Sequence, residues 1–167
     1  MNKQIFPTLI LSVLVLFALP MAASANDDIE IRELFSRWQK AFAAKNITDL
    51  MSCYAPGNRV VAFDIVPPLA RLGRDAYRKN FEDFFATYQG QLEIEIRDLN
   101  IQASGDVAFL TCLERTTGVI KGGQKSETWC RSTSGLRKID GRWLIVHDHV
   151  SFPVDVESGK ALMELKP

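Results

Sequence analysis

The sequence predicts an α+β domain in which amino-terminal helices pack on one face of a curved antiparallel sheet. Two observations indicate this class. Apolar residues recur at helical spacing in the first half of the chain and at alternate positions in the second half. Turn-forming dipeptides then divide the second half into long segments, typical of strands joined by tight hairpins. Helices followed by a run of strands are characteristic of α+β folds.

The first 25 residues have the pattern of a cleaved secretory signal. Lys3 precedes an apolar stretch at 5–19, and residues 23–25 are small enough for a signal peptidase. The apolar stretch is shorter than the ~20 residues that a membrane span requires. We therefore expect residues 1–25 to be removed, with an uncleaved anchor as the alternative. Residues 26–167 are then one periplasmic or secreted domain with no membrane attachment.

The first predicted helix begins at a capping box formed by Asp27 and Glu30. Apolar residues then repeat at helical spacing to about Lys45, which predicts an amphipathic helix with one buried stripe. The stripe consists of Ile31, Leu34, Phe35, Trp38, Ala41 and Phe42.

Two more helices and a short strand follow. Thr48 and Asp49 predict the start of a short helix that ends before Pro56. Residues 60–63 predict a short strand with Asp64 at its end. A third helix starts at Arg74, and its apolar stripe consists of Tyr77, Phe81, Phe84, Phe85 and Tyr88.

The long strands begin after Gly90, where the apolar period changes to two. The alternation changes parity near Arg97 and Asp98, which predicts a bulge or bend. Glycine-containing turns separate the remaining segments, so neighbouring strands should pair antiparallel. These segments cover residues 107–119, 126–139 and 143–152.

Three local features follow the pattern of a known family: residues 41–56, the spacing from Asp64 to Gly73, and the ending 137–151. Because of these three features, the chain from about Asp28 to Phe152 resembles the ketosteroid-isomerase and SnoaL-like branch of the nuclear-transport-factor-2-like (NTF2-like) superfamily. The resemblance implies a sheet that curls around the helices and leaves a cone-shaped, mostly apolar pocket for a small hydrophobic molecule. The aromatic residues expected to line the pocket are Trp38, Tyr54, Phe63, Phe81 and Trp129, with simple core packing as the alternative for each.

Asp64 is the first candidate catalytic residue. The resemblance places it where similar ketosteroid isomerases keep the aspartate that moves a proton between two carbons. A carboxylate at a strand end beside an apolar pocket has the environment that raises a pKa toward that of a general base. A capping or turn role is the alternative. The positions of the oxyanion-hole tyrosine and acid hold Trp38 and Thr133 here, which argues against steroid isomerisation.

The last predicted strand carries the densest polar cluster, His147, Asp148 and His149. Strict alternation puts the two histidines on one face, and Asp148 with Val146 on the other. The resemblance directs Asp148 inward, at the position of a catalytic aspartate in similar limonene epoxide hydrolases. Which face lines the pocket stays open, so Val146 and His147 are both candidate pocket residues. His149 is a candidate proton carrier.

Arg131 shares parity with Thr133 on the preceding strand, and both are expected to point inward. Arg131, Asp64 and Asp148 would then form an acid, guanidinium, acid cluster that orients water, as the resemblance to epoxide hydrolases implies. A buried structural ion pair between Arg131 and one carboxylate is the alternative.

No metal or cofactor site is predicted. His147 and His149 lack a third ligand at a recognisable spacing, and the chain has no glycine-rich nucleotide loop. The three cysteines have no metal-ligand spacing either. Cys112 and Cys130 fall on adjacent predicted strands, where a disulfide and two buried free thiols both fit, and Cys53 is expected to be a buried thiol.

The net charge of the chain limits the kinds of partner that it is expected to bind. The 167 residues carry 20 Lys and Arg against 20 Asp and Glu, without a basic run, which argues against nucleic acid. We expect an exported homodimer, paired through its sheet, that binds a small hydrophobic molecule. Catalysis would be isomerase-, cyclase- or dehydratase-type proton transfer without a cofactor, with Asp64 as base and Asp148 or His149 as partner. Epoxide-hydrolase-like water activation and a non-catalytic dimerisation or association module are the alternatives.

Overall fold

A computed structural model describes residues 21–167 and shows the predicted α+β architecture, in which three helices pack on a six-stranded, mostly antiparallel sheet. The apolar stretch at 5–19 lies outside the described residues. The elements are α1 (Met21–Ala43), α2 (Ile47–Ser52), a 3-10 turn (Gly57–Arg59), β1 (Val61–Phe63), β2 (Arg71–Leu72), α3 (Arg74–Ala86), β3 (Tyr88–Ser104), β4 (Val107–Ile120), β5 (Lys125–Ile139) and β6 (Arg142–Ser151).

The sheet has the strand order β2-β1-β6-β5-β4-β3. Strands β3 to β6 form the predicted antiparallel meander, whereas β1 pairs parallel with β6. The predicted bend in β3 is confirmed by a register shift between Arg97 and Asn100. Asp98, inside that shift, has a φ of 53°, a conformation that aspartate tolerates better than most residues.

Helix α1 differs from the prediction at its start. The expected capping box at Asp27 is wrong, because the helix already includes Met21. Asp27 instead accepts hydrogen bonds from Lys138 Nζ at 2.8 Å and Trp143 Nε1 at 3.1 Å, on β5 and β6. The hydrogen-bonded Lys138 ammonium holds the pKa of the Asp27 carboxyl below its usual value. This aspartate therefore joins the helix to the sheet.

The two shorter helices lie close to their predicted positions. Helix α2 is capped by Asn46, whose side chain accepts from the Asp49 backbone N–H at 3.1 Å, rather than by Thr48 or Asp49. Helix α3 begins at Arg74 as predicted.

The core lies between the helices and the concave face of the sheet. Apolar side chains of α1, α2 and α3 pack there against the inward-facing residues of β4, β5 and β6. The packing is incomplete, because a cavity of about 430 Å³ remains between α1, α3 and the sheet. No helix in the described part of the chain is long and apolar enough to span a membrane.

Candidate active site

The cavity has an aromatic wall and a polar wall. Helices α1 and α3 supply the aromatic wall, and the inner face of β4, β5 and β6 supplies hydroxyl, thiol and carboxyl groups. The aromatic residues are Phe35, Trp38, Phe42, Tyr77, Phe81 and Phe84, and the principal polar ones are Asp64, Glu114, Thr116, Thr128, Cys130, Ser132, Ser134 and Asp148. A ligand inside would meet apolar surface on one side and titratable groups on the other.

Asp148 accepts more side-chain hydrogen bonds than the other carboxyl groups of the cavity. It is 5% exposed, and each of its oxygens accepts a hydroxyl hydrogen bond, from Ser134 Oγ at 2.5 Å and from Tyr54 at 2.7 Å. Trp38 Nε1 donates in turn to the Tyr54 hydroxyl at 2.8 Å. Burial raises the pKa of Asp148 to about 6, against the opposing effect of these hydroxyl donors and that of Tyr77. Asp148 is therefore a carboxylate at pH 7 whose basicity exceeds that of an ordinary aspartate.

Tyr77 lines the cavity beside this network. Its ring packs edge-on against Tyr54, with ring centroids 5.4 Å apart. Burial, reinforced by the nearby charge of Asp148, raises the pKa of Tyr77 well above its usual value. The Tyr77 hydroxyl consequently remains a hydrogen-bond donor at any physiological pH.

Glu114 is a second buried carboxyl group, and the sequence did not predict it as a site residue. It is 8% exposed, and the thiol of Cys112 lies 3.7 Å from its Oε1. Burial raises the pKa of Glu114 to about 7, and the charge of Asp148 acts in the same direction. The alternation of apolar residues along β4 could have indicated its inward orientation, because Glu114 shares parity with the buried residues Leu110 and Cys112.

Asp64 lies at the end of β1 and lines the same cavity, as the sequence predicted. Its Oδ2 accepts a hydrogen bond from Asn80 Nδ2 of α3 at 2.5 Å. Asn80 is buried within the helix, so it fixes the orientation of the aspartate. Asp64 and Asp148 thus face one cavity from two strands.

Arg131 and Thr133 do not face the cavity, so the predicted inward orientation is wrong. Strand β5 pairs Ser132 with Cys112, and this register turns the serine inward and its neighbours outward. Arg131 is exposed and donates to the backbone oxygen of Phe152 at 3.1 Å. The expected cluster of Arg131 with two aspartates does not form, and with it the arrangement for epoxide-hydrolase-like water activation is lost.

Trp129 also lies on the outer face, contrary to the expectation that it lines the pocket. Its ring packs beneath the guanidinium groups of Arg97 and Arg115, which lie 4.8 and 5.9 Å from the ring centroid. The cause is the same register, which pairs Trp129 with Arg115 on the outer face of β4.

A bulge changes the two faces of β6. The pairing with β5 shifts between Gly135, opposite His147, and Leu136, opposite Ile145, which leaves Val146 as the extra residue. Ile145 and Asp148 consequently both face the cavity, and strict alternation fails. Val146 and His147 instead line a shallow groove on the opposite side, where His147 Nδ1 lies 2.8 Å from the Val61 carbonyl oxygen.

The other predicted aromatic and histidine residues divide between the two sides of the sheet. Trp38 and Phe81 line the cavity, and Tyr54 is fully buried behind Asp148. Phe63 is 41% exposed and packs edge-on against the rings of His147 and His149, at centroid distances of 5.1 and 5.8 Å. His149 is exposed on this outer side, away from the two cavity aspartates, so the predicted partnership is not formed.

All three cysteines are free thiols in the structure. Cys112 and Cys130 lie on the inner face of adjacent strands, where Cys112 precedes Glu114 by two residues on β4 and Cys130 pairs with Glu114 from β5. Burial raises the pKa of both thiols, so neither is an activated nucleophile. Within residues 21–167, no group of three His, Cys, Asp or Glu side chains is placed to hold a metal ion.

Comparison with known proteins gives both a sequence family and related structures. A family model described as the SnoaL-like domain matches residues 31–155. An NTF2-like protein of unknown function from Pseudomonas putida KT2440 is 33% identical, with a TM-score of 0.77, over 86% of this chain and 99% of that one. No curated protein matches the chain.

Two further structures are more distant. A protein from Xanthomonas campestris, described as a putative calcium/calmodulin dependent protein kinase II association domain, is 28% identical with a TM-score of 0.65 and coverages of 80% and 91%. A ketosteroid isomerase-like protein from Erwinia carotovora atroseptica is 22% identical with a TM-score of 0.63 and coverages of 74% and 93%. The likeness to the ketosteroid isomerase-like protein, at 22% identity, is a likeness of fold alone.

Proposed function

The chain belongs to the SnoaL-like family and has the NTF2-like fold, and from this membership we propose that its cavity binds a small hydrophobic molecule and moves a proton on it. The proposal rests on Asp148, a buried carboxylate that has a pKa of about 6 and lines a mostly apolar cavity. A general base is most effective when its pKa lies near the working pH.

The proposed step is isomerase- or lyase-like. Asp148 takes a proton from a carbon next to a carbonyl group, or next to the carbon that bears a leaving group, while the Tyr77 hydroxyl shifts its hydrogen bond from Asp148 to the oxygen on which charge develops. Asp148 returns the proton to a second position, which gives isomerisation, or to a departing oxygen, which gives dehydration. Structures of the same fold include a ketosteroid isomerase-like protein and a putative dehydratase, which supports this reaction class.

Asp64 is the alternative base, because it faces the same cavity from β1. The test is proton exchange on 1-tetralone in D₂O, followed by ¹H NMR, with wild type, Asp148→Asn and Asp64→Asn. We expect wild type to accelerate exchange of the α-protons and Asp148→Asn to lose at least about tenfold of that acceleration. Loss confined to Asp64→Asn would assign the base to Asp64, and no acceleration by wild type would contradict the proposal.

We also propose that the domain is exported and forms a homodimer through the outer face of the sheet. Support for the dimer comes from Val107 and Phe109 of β4, each 48% exposed on that face. Sedimentation should give a dimer at micromolar concentration, and Phe109→Asp should give a monomer with unchanged circular dichroism. A wild-type monomer would contradict the dimer, and recovery of uncleaved protein in the cytoplasm would contradict export.

A further inference from the structure

The charged side chains that line the cavity favour one charge class of ligand over another. Three carboxyl groups line it, those of Asp64, Glu114 and Asp148, in addition to Asp83 at its edge. Among the described lining residues the one cation is Arg71, and its guanidinium donates to the carbonyl oxygens of Val66 and Pro67 at 3.2 and 2.8 Å. The interior therefore has an excess of negative groups.

Glu114 is buried with a thiol and a hydroxyl as its donors. Asp148 accepts hydroxyl bonds of 2.5 and 2.7 Å and Asp64 accepts an amide bond of 2.5 Å. The Cys112 thiol lies 3.7 Å from Glu114, and the Ser132 hydroxyl lowers the pKa of Glu114 against the larger effect of burial. In the part of the chain that the structure describes, neither Glu114 nor Asp148 has a basic side chain within ion-pair distance. A buried carboxylate without a cation is costly, and a ligand that supplies the cation removes that cost.

The opposite wall is suited to the same kind of ligand. Trp38, Tyr77 and Phe81 present aromatic rings, which attract cations through their electron-rich faces and pack against apolar groups. A volume of about 430 Å³ has room for a fused aromatic ring with a short side chain.

We propose that the natural ligand is a hydrophobic amine whose ammonium group is held by Glu114 while its apolar part packs on the aromatic wall. This rests on the proposed function and specifies its substrate class. The pairing leaves Asp148 free to move the proton. It also excludes carboxylic acids, because an anionic ligand would add to the repulsion among the carboxylates.

The proposal implies a pH dependence of binding. The titratable groups around Glu114 are Cys112 on β4, Cys130 on β5, Asp148 on β6, Asp64 after β1 and Tyr77 on α3, while α1 contributes aromatic rings. The pKa of Glu114 is about 7, so its ionised fraction rises about tenfold between pH 6 and pH 8. Affinity for an amine should rise by about that factor, whereas affinity for a neutral analogue should stay constant.

The test is calorimetric titration of the full chain with three probes of one shape: 2-(1-naphthyl)ethylamine, 2-(1-naphthyl)ethanol and 1-naphthaleneacetate. At pH 8 we expect the amine to bind at least tenfold more tightly than the alcohol, and the acetate to bind most weakly. Glu114→Gln should reduce the preference for the amine to less than threefold while keeping the affinity for the alcohol. Glu93→Gln, the same change on exposed β3, should keep the full preference.

Each other result has a definite meaning. Binding of alcohol and amine with equal affinity overturns the amine assignment and leaves the proposed function standing. Failure of all three probes to bind contradicts both. An unchanged preference in folded Glu114→Gln overturns the role of Glu114, and if that variant does not fold, the wild-type comparison between pH 6 and pH 8 decides.

Discussion

Glu114 shows how a single residue couples the cavity to protein stability. Its pKa rises from an ordinary 4.5 to about 7 on folding, so the folded state keeps a proton that the unfolded chain releases. The free energy of unfolding therefore falls as pH rises between these values. Asp148, raised from 3.8 to about 6, acts in the same direction over a lower range. Both buried acids thus favour folding at mildly acidic pH.

Glu114→Gln should flatten this pH dependence. For a shift of this size the loss of stability between pH 4.5 and 7 is on the order of 3 kcal/mol, and it disappears when the group cannot ionise. Urea unfolding at several pH values measures the slope. Glu93→Gln, on the exposed part of β3, should keep the wild-type slope. An equal slope in wild type and Glu114→Gln would show that Glu114 is not a buried titrating group.

Tyr54 links Trp38 to Asp148, and Tyr54→Phe should break both hydrogen bonds. We expect a loss of about 1–2 kcal/mol in the free energy of unfolding, because the buried indole N–H and the carboxylate each lose a partner. The pKa of Asp148 should rise, since a donor to its charged form is removed. Chemical denaturation and carboxyl ¹³C NMR measure the two effects. Tyr88→Phe, outside this network, should change neither.

The sequence predicted only part of the candidate site, because the register and the bulges of individual strands decide which side chains face the cavity. Asp64 was predicted from its place at a strand end and from the resemblance, and Asp148 was predicted from the resemblance alone. Arg131 and Trp129 were placed on the wrong face because hairpin register cannot be read from one strand alone. Val146 and His147 were misplaced by a bulge, which inserts one residue and reverses parity beyond it.

The helices and long strands were predictable because their apolar periods are long and regular. The start of α1 was not. Asp27 has the spacing of a helix cap, and only the folded sheet brings Lys138 and Trp143, more than 100 residues away, to its side chain. A tertiary contact replaced the local role that the sequence favoured.

Asp27→Ala should therefore weaken the attachment of α1 to β5 and β6. We expect a loss of about 1 kcal/mol in the free energy of unfolding, chiefly from the buried indole N–H left without an acceptor. Asp28→Ala is the matched control, because Asp28 pairs with Arg32 on the exposed side of the same helix, where ion pairs contribute little. Urea titration compares the two variants, and equal losses would contradict the role of Asp27.

The cavity is a volume that the fold leaves unpacked. Unfilled space inside a protein lowers stability through lost contacts, so a side chain that fills it without strain removes that cost. Whether the cavity serves a ligand can thus be tested by filling it.

Thr116→Leu places a larger apolar group on the cavity wall. We expect stability to change by less than about 1 kcal/mol and affinity for 2-(1-naphthyl)ethanol to fall at least tenfold. Thr111→Leu, on the exposed face of the same strand, should leave binding unchanged. Thermal melts with and without the alcohol report both properties. Undiminished binding by Thr116→Leu would place the ligand elsewhere.

The parallel pairing of β1 with β6 sets the order in which the molecule can be assembled. Ala62 pairs with Asp148, and Tyr54 reaches the same aspartate across 94 residues of chain. Asp148 can therefore meet Ala62 and Tyr54 only after the chain through β6 has been synthesised. Contacts of such long sequence separation slow folding, because a large loop must close before they form. The cavity chemistry is thus a late product of folding, absent from any amino-terminal fragment that ends before β6.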